Sequence, residues 1–283
     1  MKVMSKCRIV EKKSVQSIMN EKKLLSQLKH PFLINMYYAF QDYENLFLVT
    51  DLVTGGDLRY HHNKRKKFTE AQTKFFVSCC IIGLEYMHNN QVIHRDIKPE
   101  NLLMDSCGYV RITDLGVSKE WTPDNSMDTS GTPGYMAPEV MCRQNHGVAV
   151  DYFALGVLTY EFMMGKRPYL GKTRKEIRDQ IFSRQVCLRK SDLPDGWSME
   201  AADFINKTLQ RKPSNRLGLN GPNEVKSHIW LKDIDWQAMV EKKVEAPFIP
   251  EIRPPLNPKQ FQEKLSPEQE EENNILLRRN SIQ

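Results

Sequence analysis

No run of eighteen apolar residues occurs in the 283-residue chain, so no segment is expected to span a membrane as a helix. The opening residues Met1-Lys2-Val3-Met4-Ser5-Lys6 contain no apolar signal core, and no glycine follows Met1 to carry an acyl chain. Cysteine is sparse. Cys7, Cys79, Cys80, Cys107, Cys142 and Cys187 show no metal-ligand spacing. They read as reduced thiols in a cytoplasmic setting, not as a disulfide or zinc framework. The adjacent Cys79-Cys80 falls in a helical pattern and reads as core filling. Internal repeats are also missing.

What is present is an ordinary globular composition with a net charge of +6. Such a charge raises nucleic acid or acidic lipid as a partner. The densest basic run, Lys64-Arg65-Lys66-Lys67, has no interleaved aromatics. It reads as a solvated loop between two helices, so neither nucleic acid nor a membrane is expected as a partner.

Apolar residues at Val15, Ile18, Leu24, Leu25 and Leu28 predict a helix over 15–29, stopped by His30-Pro31. Two β-rich runs follow, 33–40 and 46–51, joined by the polar turn 41–45. Thr54-Gly55-Gly56-Asp57 breaks the chain and starts a helix. A long helix is expected from Thr69 to Asn90, opened by a capped Thr69-Glu70. Residues 148–164 are apolar all round, which implies a buried helix. Further helices are expected near 172–182, 198–209 and 223–229. From Pro247 the periodicity fades into an extended surface tail, disordered at its end. The order is a small strand-bearing portion, then a larger helical one.

The chemistry lies in loops. Val92-Ile93-His94-Arg95-Asp96-Ile97-Lys98-Pro99-Glu100-Asn101 is followed by Asp114-Leu115-Gly116 and then by Ala137-Pro138-Glu139. An acid, a cation and an amide at this spacing, with a second acid ahead of a glycine, can hold a hydroxyl, a phosphate and metal ions together. That is the apparatus of phosphoryl transfer from ATP to a protein side chain. On these motifs the chain resembles the eukaryotic protein kinases over nearly its whole length. Within them it is most similar to the group containing the cyclic-nucleotide-dependent kinases, whose C-terminal extension is matched by Asp235-Trp236 and Lys243-Val244-Glu245-Ala246-Pro247-Phe248-Ile249-Pro250.

The resemblance implies an α+β, bilobal fold: a partial β-rich N-lobe over 1–52, a helical C-lobe over 53–230 and a C-terminal tail over 231–283. It implies a Ser/Thr protein kinase with ATP and Mg²⁺ as cofactors. Asp96 matches the acid that orients the substrate hydroxyl and accepts its proton. Lys98 matches the cation at the transferring phosphate. Asn101 and Asp114 match the Mg²⁺ ligands, with Leu115 where the family usually has Phe. Lys2, in a remnant of the third-strand signature, matches the lysine on the α- and β-phosphates. Glu21 matches its ion-pair partner. Thr50 is the gatekeeper, and Asp51 and Val53 offer backbone groups to adenine. Leu25, Met36, His94 and Leu115 would stack as an apolar spine. Glu139 with Arg216 would brace the large lobe, and Asp151 would anchor the catalytic loop. Thr132 matches the residue that touches both Asp96 and Lys98.

For regulation, the resemblance places Asp128 where relatives carry a phosphothreonine, with Thr129 beside it and Arg95 and Lys119 as basic partners. Either Asp128 mimics the phosphate, or Thr129 is the phosphosite. Asp57, Glu100 and Glu161 match acids that read upstream arginines, which favours Arg-Arg-x-Ser-like sites. The chain's own Arg278-Arg279-Asn280-Ser281-Ile282 fits that description. Ser281 is thus a candidate for autophosphorylation, or the tail for an inhibitor, against the plain reading of a disordered basic end. Expected partners are protein substrates with basic sites and a regulatory subunit. The sequence starts at the third strand, without the glycine-rich phosphate loop, and reads as N-terminally truncated. The alternative to an active kinase is therefore an impaired, kinase-like binding module.

Overall fold

The computed structural model describes residues 1–252. Met1–Pro250 form one compact unit, an α+β arrangement of a small antiparallel sheet and a larger helical body. The sheet joins β1 (Lys2–Ser5), β2 (Met36–Gln41) and β3 (Asn45–Thr50) in the order β1-β3-β2. Lys2 pairs with Leu48, and Leu48 with Ala39 on its other side. The β2–β3 hairpin closes on Asp42, whose Oδ1 accepts from the N–H groups of Glu44 and Asn45 at 2.8 and 2.6 Å. The expected turn over 41–45 is thus tighter, because this local side-chain turn frees Gln41 and Asn45 for the strands.

Two helices precede β2. The first, α1 (Lys6–Glu11), has no buried residue and therefore left no apolar period to find in the sequence. The second, α2 (Val15–Gln27), buries Glu21, Leu24 and Leu25. The first β-rich run divides between the two lobes. Phe32 and Ile34 exchange backbone bonds with Ile112 at 2.9 Å each, so 32–34 serve the helical body, and only from Met36 does the chain join the sheet. An unbroken strand over 33–40 is thus corrected: one apolar run feeds two separate sheets.

The helical body begins with α3 (Leu58–Arg65), capped by Asp57, whose carboxylate accepts from Tyr60 N at 2.8 Å. The basic run is not a free loop. Lys64 and Arg65 form the last turn of α3, where cations suit the helix dipole. The Arg65 guanidinium lies 4.4 Å from the Phe248 ring centroid. The long α4 (Glu70–Asn89) carries a capping box: Thr69 Oγ1 accepts from Gln72 N, and Gln72 Oε1 from Thr69 N, both at 3.2 Å. Cys79 and Cys80 are fully buried in it, and burial pushes the Cys79 thiol up to about 12.

Short strands carry the loops between the lobes. β4 (Val92–Ile93) pairs with β7 (Lys119–Glu120), and β5 (Leu102–Met104) with β6 (Val110–Ile112). Then come α5 (Pro138–Met141), α6 (Ala149–Met164), α7 (Arg174–Ser183), α8 (Met199–Thr208), α9 (Pro222–Lys226) and α10 (Trp236–Val240). The apolar α6 is buried nearly throughout. It approaches α8 at Gly156, where a Cβ would overlap the Thr208 side chain. The extended surface tail expected from Pro247 starts partly inside the core. Up to Pro250 it belongs to the compact unit, and Phe248 is buried against Phe68, Phe76 and His61.

Burial also sets an acid response. His30, His62 and His228 are each held below the ordinary value of 6.5 by burial. Burial pushes the carboxyls of Asp51 and Asp151 up, but the hydrogen bonds they accept outweigh it and hold both below 3.8. All five groups bind protons less readily folded than unfolded, so they stabilise the fold above the unfolded values and lose that contribution as pH falls. The urea midpoint is expected to decline as pH drops below about 6.5 and again below about 4. A midpoint constant from neutral to acid pH would contradict this.

Candidate active site

The loop after β4 takes its shape from one buried carboxylate. Asp151, at the start of α6, accepts from the backbone N–H of His94 (Oδ2, 2.9 Å) and of Arg95 (Oδ1, 2.7 Å), and bonds the His88 ring at 2.8 Å. These bonds hold Arg95 at φ 68°, a left-handed conformation that non-glycine residues adopt only when their surroundings impose it. The chain then turns so that Asp96 faces Lys98 and Asn101.

Asp96 is nearly buried, at 8% exposure, and is the hub of the cluster. Its Oδ2 accepts from Lys98 Nζ at 2.6 Å and from Asn101 Nδ2 at 3.0 Å. Its Oδ1 accepts from Thr132 N at 2.9 Å and Thr132 Oγ1 at 2.7 Å. Lys98 Nζ also donates to Thr132 Oγ1 at 2.8 Å. The amide nitrogen of Asn101 is committed to Asp96, which leaves its oxygen as the group for a cation. Thr113 N donates to the Asn101 carbonyl at 3.0 Å, setting Asp114 next to this cluster. Asp114 is exposed, sits at φ 64° and accepts from Gly116 N at 3.2 Å. Leu115 beside it is buried.

Two oxygen donors and little else suit Mg²⁺, which takes one or two carboxylates and fills its shell with phosphate and water. No group of three or more His, Cys, Asp or Glu able to hold a metal occurs among the described residues. Lys2 Nζ meets both carboxylate oxygens of Glu21, at 2.7 and 2.9 Å, with Glu21 buried and Lys2 half exposed. The position of α2 follows from contacts that sequence reasoning missed. Ser17 Oγ donates to Gly116 O at 2.5 Å, Asn20 Nδ2 to Ser118 O at 2.6 Å, and Lys23 pairs with Glu120 at 2.7 Å. Of the spine candidates, Leu25, His94 and Leu115 are buried, and Met36 packs partly buried against the core.

At the lobe junction, Thr50 ends β3. The Asp51 side chain faces away from any nucleotide role. It accepts from Asn35 N and Nδ2 (3.0 and 2.9 Å), Tyr37 OH (2.7 Å) and Arg111 Nη1 (2.9 Å). The Asp51 N–H also donates to Asn35 O at 2.9 Å, which leaves the Asp51 carbonyl oxygen as the group it could offer a ligand.

Asp128 lies beside the two basic residues expected near it. Asp128 Oδ2 lies 2.6 Å from Lys119 Nζ and 3.5 Å from Arg95 Nη1. Thr129 instead presents its carbonyl to Arg174, at 3.4 Å. Glu139 and Arg216 form a bidentate pair at 2.6 and 2.9 Å, essentially unexposed. Ser281 lies outside the described residues.

The expected acidic groove differs from the sequence reading. Asp57 is engaged as the α3 cap. Glu100 and Glu161 are bridged by Arg59: Nε to Glu100 Oε1 at 2.8 Å, Nη1 to Glu161 Oε1 at 2.9 Å. Tyr135 closes the cluster, bonding both Arg59 and Glu161. Neither Arg59 nor Tyr135 was singled out by the sequence, because their meeting depends on how α3 lies against the loops.

Residues 1–231 match the protein kinase domain family. A probable serine/threonine-protein kinase of Dictyostelium discoideum is 39% identical over 89% of this chain and 55% of its own length. The cAMP-dependent protein kinase catalytic subunit of the same organism is 36% identical over 89% of this chain and 38% of its own. Human ribosomal protein S6 kinase alpha-1 is 36% identical over 90% of this chain and 34% of its own. The chain thus spans about half or less of these relatives' length. With lysine, asparagine and threonine assembled around one acid, and a family match over both lobes, the chain belongs to the protein kinase family.

Proposed function

We propose that the chain transfers the γ-phosphate of ATP to serine or threonine hydroxyls of protein substrates. The observation that carries this reading is the closed ring of Asp96, Lys98 and Thr132, with Asn101 bonded to it. A hydroxyl entering beside Asp96 would give its proton to the carboxylate as its oxygen bonds to the γ-phosphorus. The bond from that phosphorus to the β-bridging oxygen breaks, and ADP takes the electron pair. Lys98 offsets charge on the transferring group. Lys2, aimed by Glu21, would hold the α- and β-phosphates. Adenine would meet the Asp51 and Val53 backbone, with Thr50 beside it. The oxygens of Asn101 and Asp114 would hold Mg²⁺, which when bound neutralises phosphate charge.

For substrate choice, Glu100 and Glu161 support basic residues upstream of the acceptor. Asp57 supports them least, since it caps a helix, and at Glu161 the support is countered by Arg59. The cAMP-dependent relative is named as a catalytic subunit, which makes a regulatory subunit a candidate partner. No helix among the described residues is long and apolar enough to cross a membrane, and the free cysteines support a cytoplasmic setting.

The test is Mg²⁺-dependent transfer of labelled γ-phosphate to a Ser peptide and to its Ala counterpart. Label on the Ser peptide alone is expected. Nucleotide and peptide binding without transfer would favour the binding-module alternative.

For regulation, the ion pairs of Asp128 favour the phosphate-mimic reading over Thr129 phosphorylation. Asp128→Ala leaves Lys119 and the nearly buried Arg95 without their anion. It is expected to lower activity by about fivefold or less, the effect of roughly 1 kcal/mol, in the absence of any phosphorylation. Thr129→Ala is expected to change activity little. A peptide-transfer assay with both variants decides, and the reverse order of effects would reject the mimic.

A further inference from the structure

The acidic groove already contains a guanidinium. Arg59, the second residue of α3, is 22% exposed at its side chain and reaches across to Glu161, which is 6% exposed, and to Glu100, which is 44% exposed. Nη1 and Nη2 take the two Glu161 oxygens, at 2.9 and 3.3 Å, and Nε takes Glu100. The Tyr135 hydroxyl, from the segment after Thr132, lies between Arg59 and Glu161. This is the planar fork geometry that carboxylates offer to arginine. Burial works against the Arg59 charge, but its bonds to Glu161 and Glu100 outweigh that and hold it above the ordinary arginine value. The cation is therefore permanent.

Two consequences follow from charge and connectivity. The Glu100, Glu161 and Arg59 cluster carries a net charge of one negative unit, where the acids alone would carry two. A substrate arginine would also have to displace a group tethered to the same chain. A tethered competitor acts at a high effective concentration, and its loss would leave Arg59 to find another anion.

We propose that Arg59 is a built-in occupant of the groove's arginine-reading position and a specificity-determining residue. It weakens the groove's preference for arginine upstream of the acceptor. The inference rests on the kinase reading of this groove, but its test does not require phosphate transfer.

The experiment measures binding of two fluorescein-labelled, non-phosphorylatable peptides, Arg-Arg-Asn-Ala-Ile and Ala-Ala-Asn-Ala-Ile, to the full chain by anisotropy. The wild-type chain is expected to favour the basic peptide by less than about threefold. Arg59→Met, which keeps the apolar stem, is expected to raise that ratio by about tenfold. Arg59→Gln, which keeps hydrogen-bonding capacity without charge, should move it in the same direction, and serves if the Met variant folds poorly. A wild-type preference for the basic peptide of about tenfold or more overturns the proposal without any variant. So does a ratio that either folded variant leaves within about twofold of wild type. Failure of phosphate transfer to the Ser versions, with these binding ratios as expected, would reject the kinase reading and leave the role of Arg59 standing.

Discussion

Asp96→Asn is expected to reduce phosphate transfer by about 10²- to 10⁴-fold, the usual contribution of a positioned general base. The amide cannot accept the proton of an attacking hydroxyl. It also upsets its neighbours. Both Asp96 oxygens now accept, from Lys98, Asn101 and both donors of Thr132, and an Asn amide nitrogen must face at least one of those donors. Lys98 loses its counter-charge in the same change. The nucleotide contacts expected of Lys2 and the lobe junction lie elsewhere, so kcat and kcat/KM for peptide should fall together while the KM for ATP moves little. Steady-state kinetics with a Ser peptide make the check. Wild-type rates in the variant would remove Asp96 from the chemistry.

The largest loss of stability is expected from Glu139→Ala, at about 3–5 kcal/mol. Arg216 is buried without solvent and makes a bidentate pair with Glu139. Its remaining donors go to the carbonyls of Gln210, Ala149 and Arg211, and its guanidinium packs 5.0 Å from the Phe153 ring centroid. Removing the carboxylate leaves a charge that can neither reach water nor neutralise itself. The double variant Glu139→Leu with Arg216→Met removes both charges and should recover part of the loss. Urea unfolding of the three proteins decides this. A single variant as stable as the parent would mean that water or another anion reaches Arg216. Glu21→Ala offers a contrast: Lys2 is half exposed, so that change should cost about 1 kcal/mol or less in stability.

How much was legible depended on the range of each signal. The capping box of α4 lies within four residues and could be read from Thr69 and the helical pattern after it. The buried α6 was legible because its apolar character is continuous. The exposed α1 buries nothing, so no pattern marked it. The split of 32–41 between two sheets was hidden because both halves are equally apolar, and only the partner strands distinguish them. At the site, the order of Asp96, Lys98, Asn101 and Asp114 could be read because the loop holds them near in sequence. The joining of Glu139 to Arg216, or Lys2 to Glu21, came from resemblance and not from any local rule. Arg59 was not legible at all. Its partners stand 41, 76 and 102 residues away, and nothing in Gly-Gly-Asp-Leu-Arg forecasts them.

The contacts of α2 carry one more consequence. Ser17, Asn20 and Lys23 repeat every third residue along one helical face, while their partners Gly116, Ser118 and Glu120 run from a turn into β7. Helix and segment are fastened like a rack to its track. Glu21, which pairs with Lys2, rides on the same rigid rod, next to Asn20 and one turn from Ser17. A shift of the rod would therefore withdraw Lys2, proposed to hold the phosphates, and disturb the loop of Asp114, proposed to hold Mg²⁺, in one stroke. The two halves of the proposed nucleotide grip share a single mechanical setting.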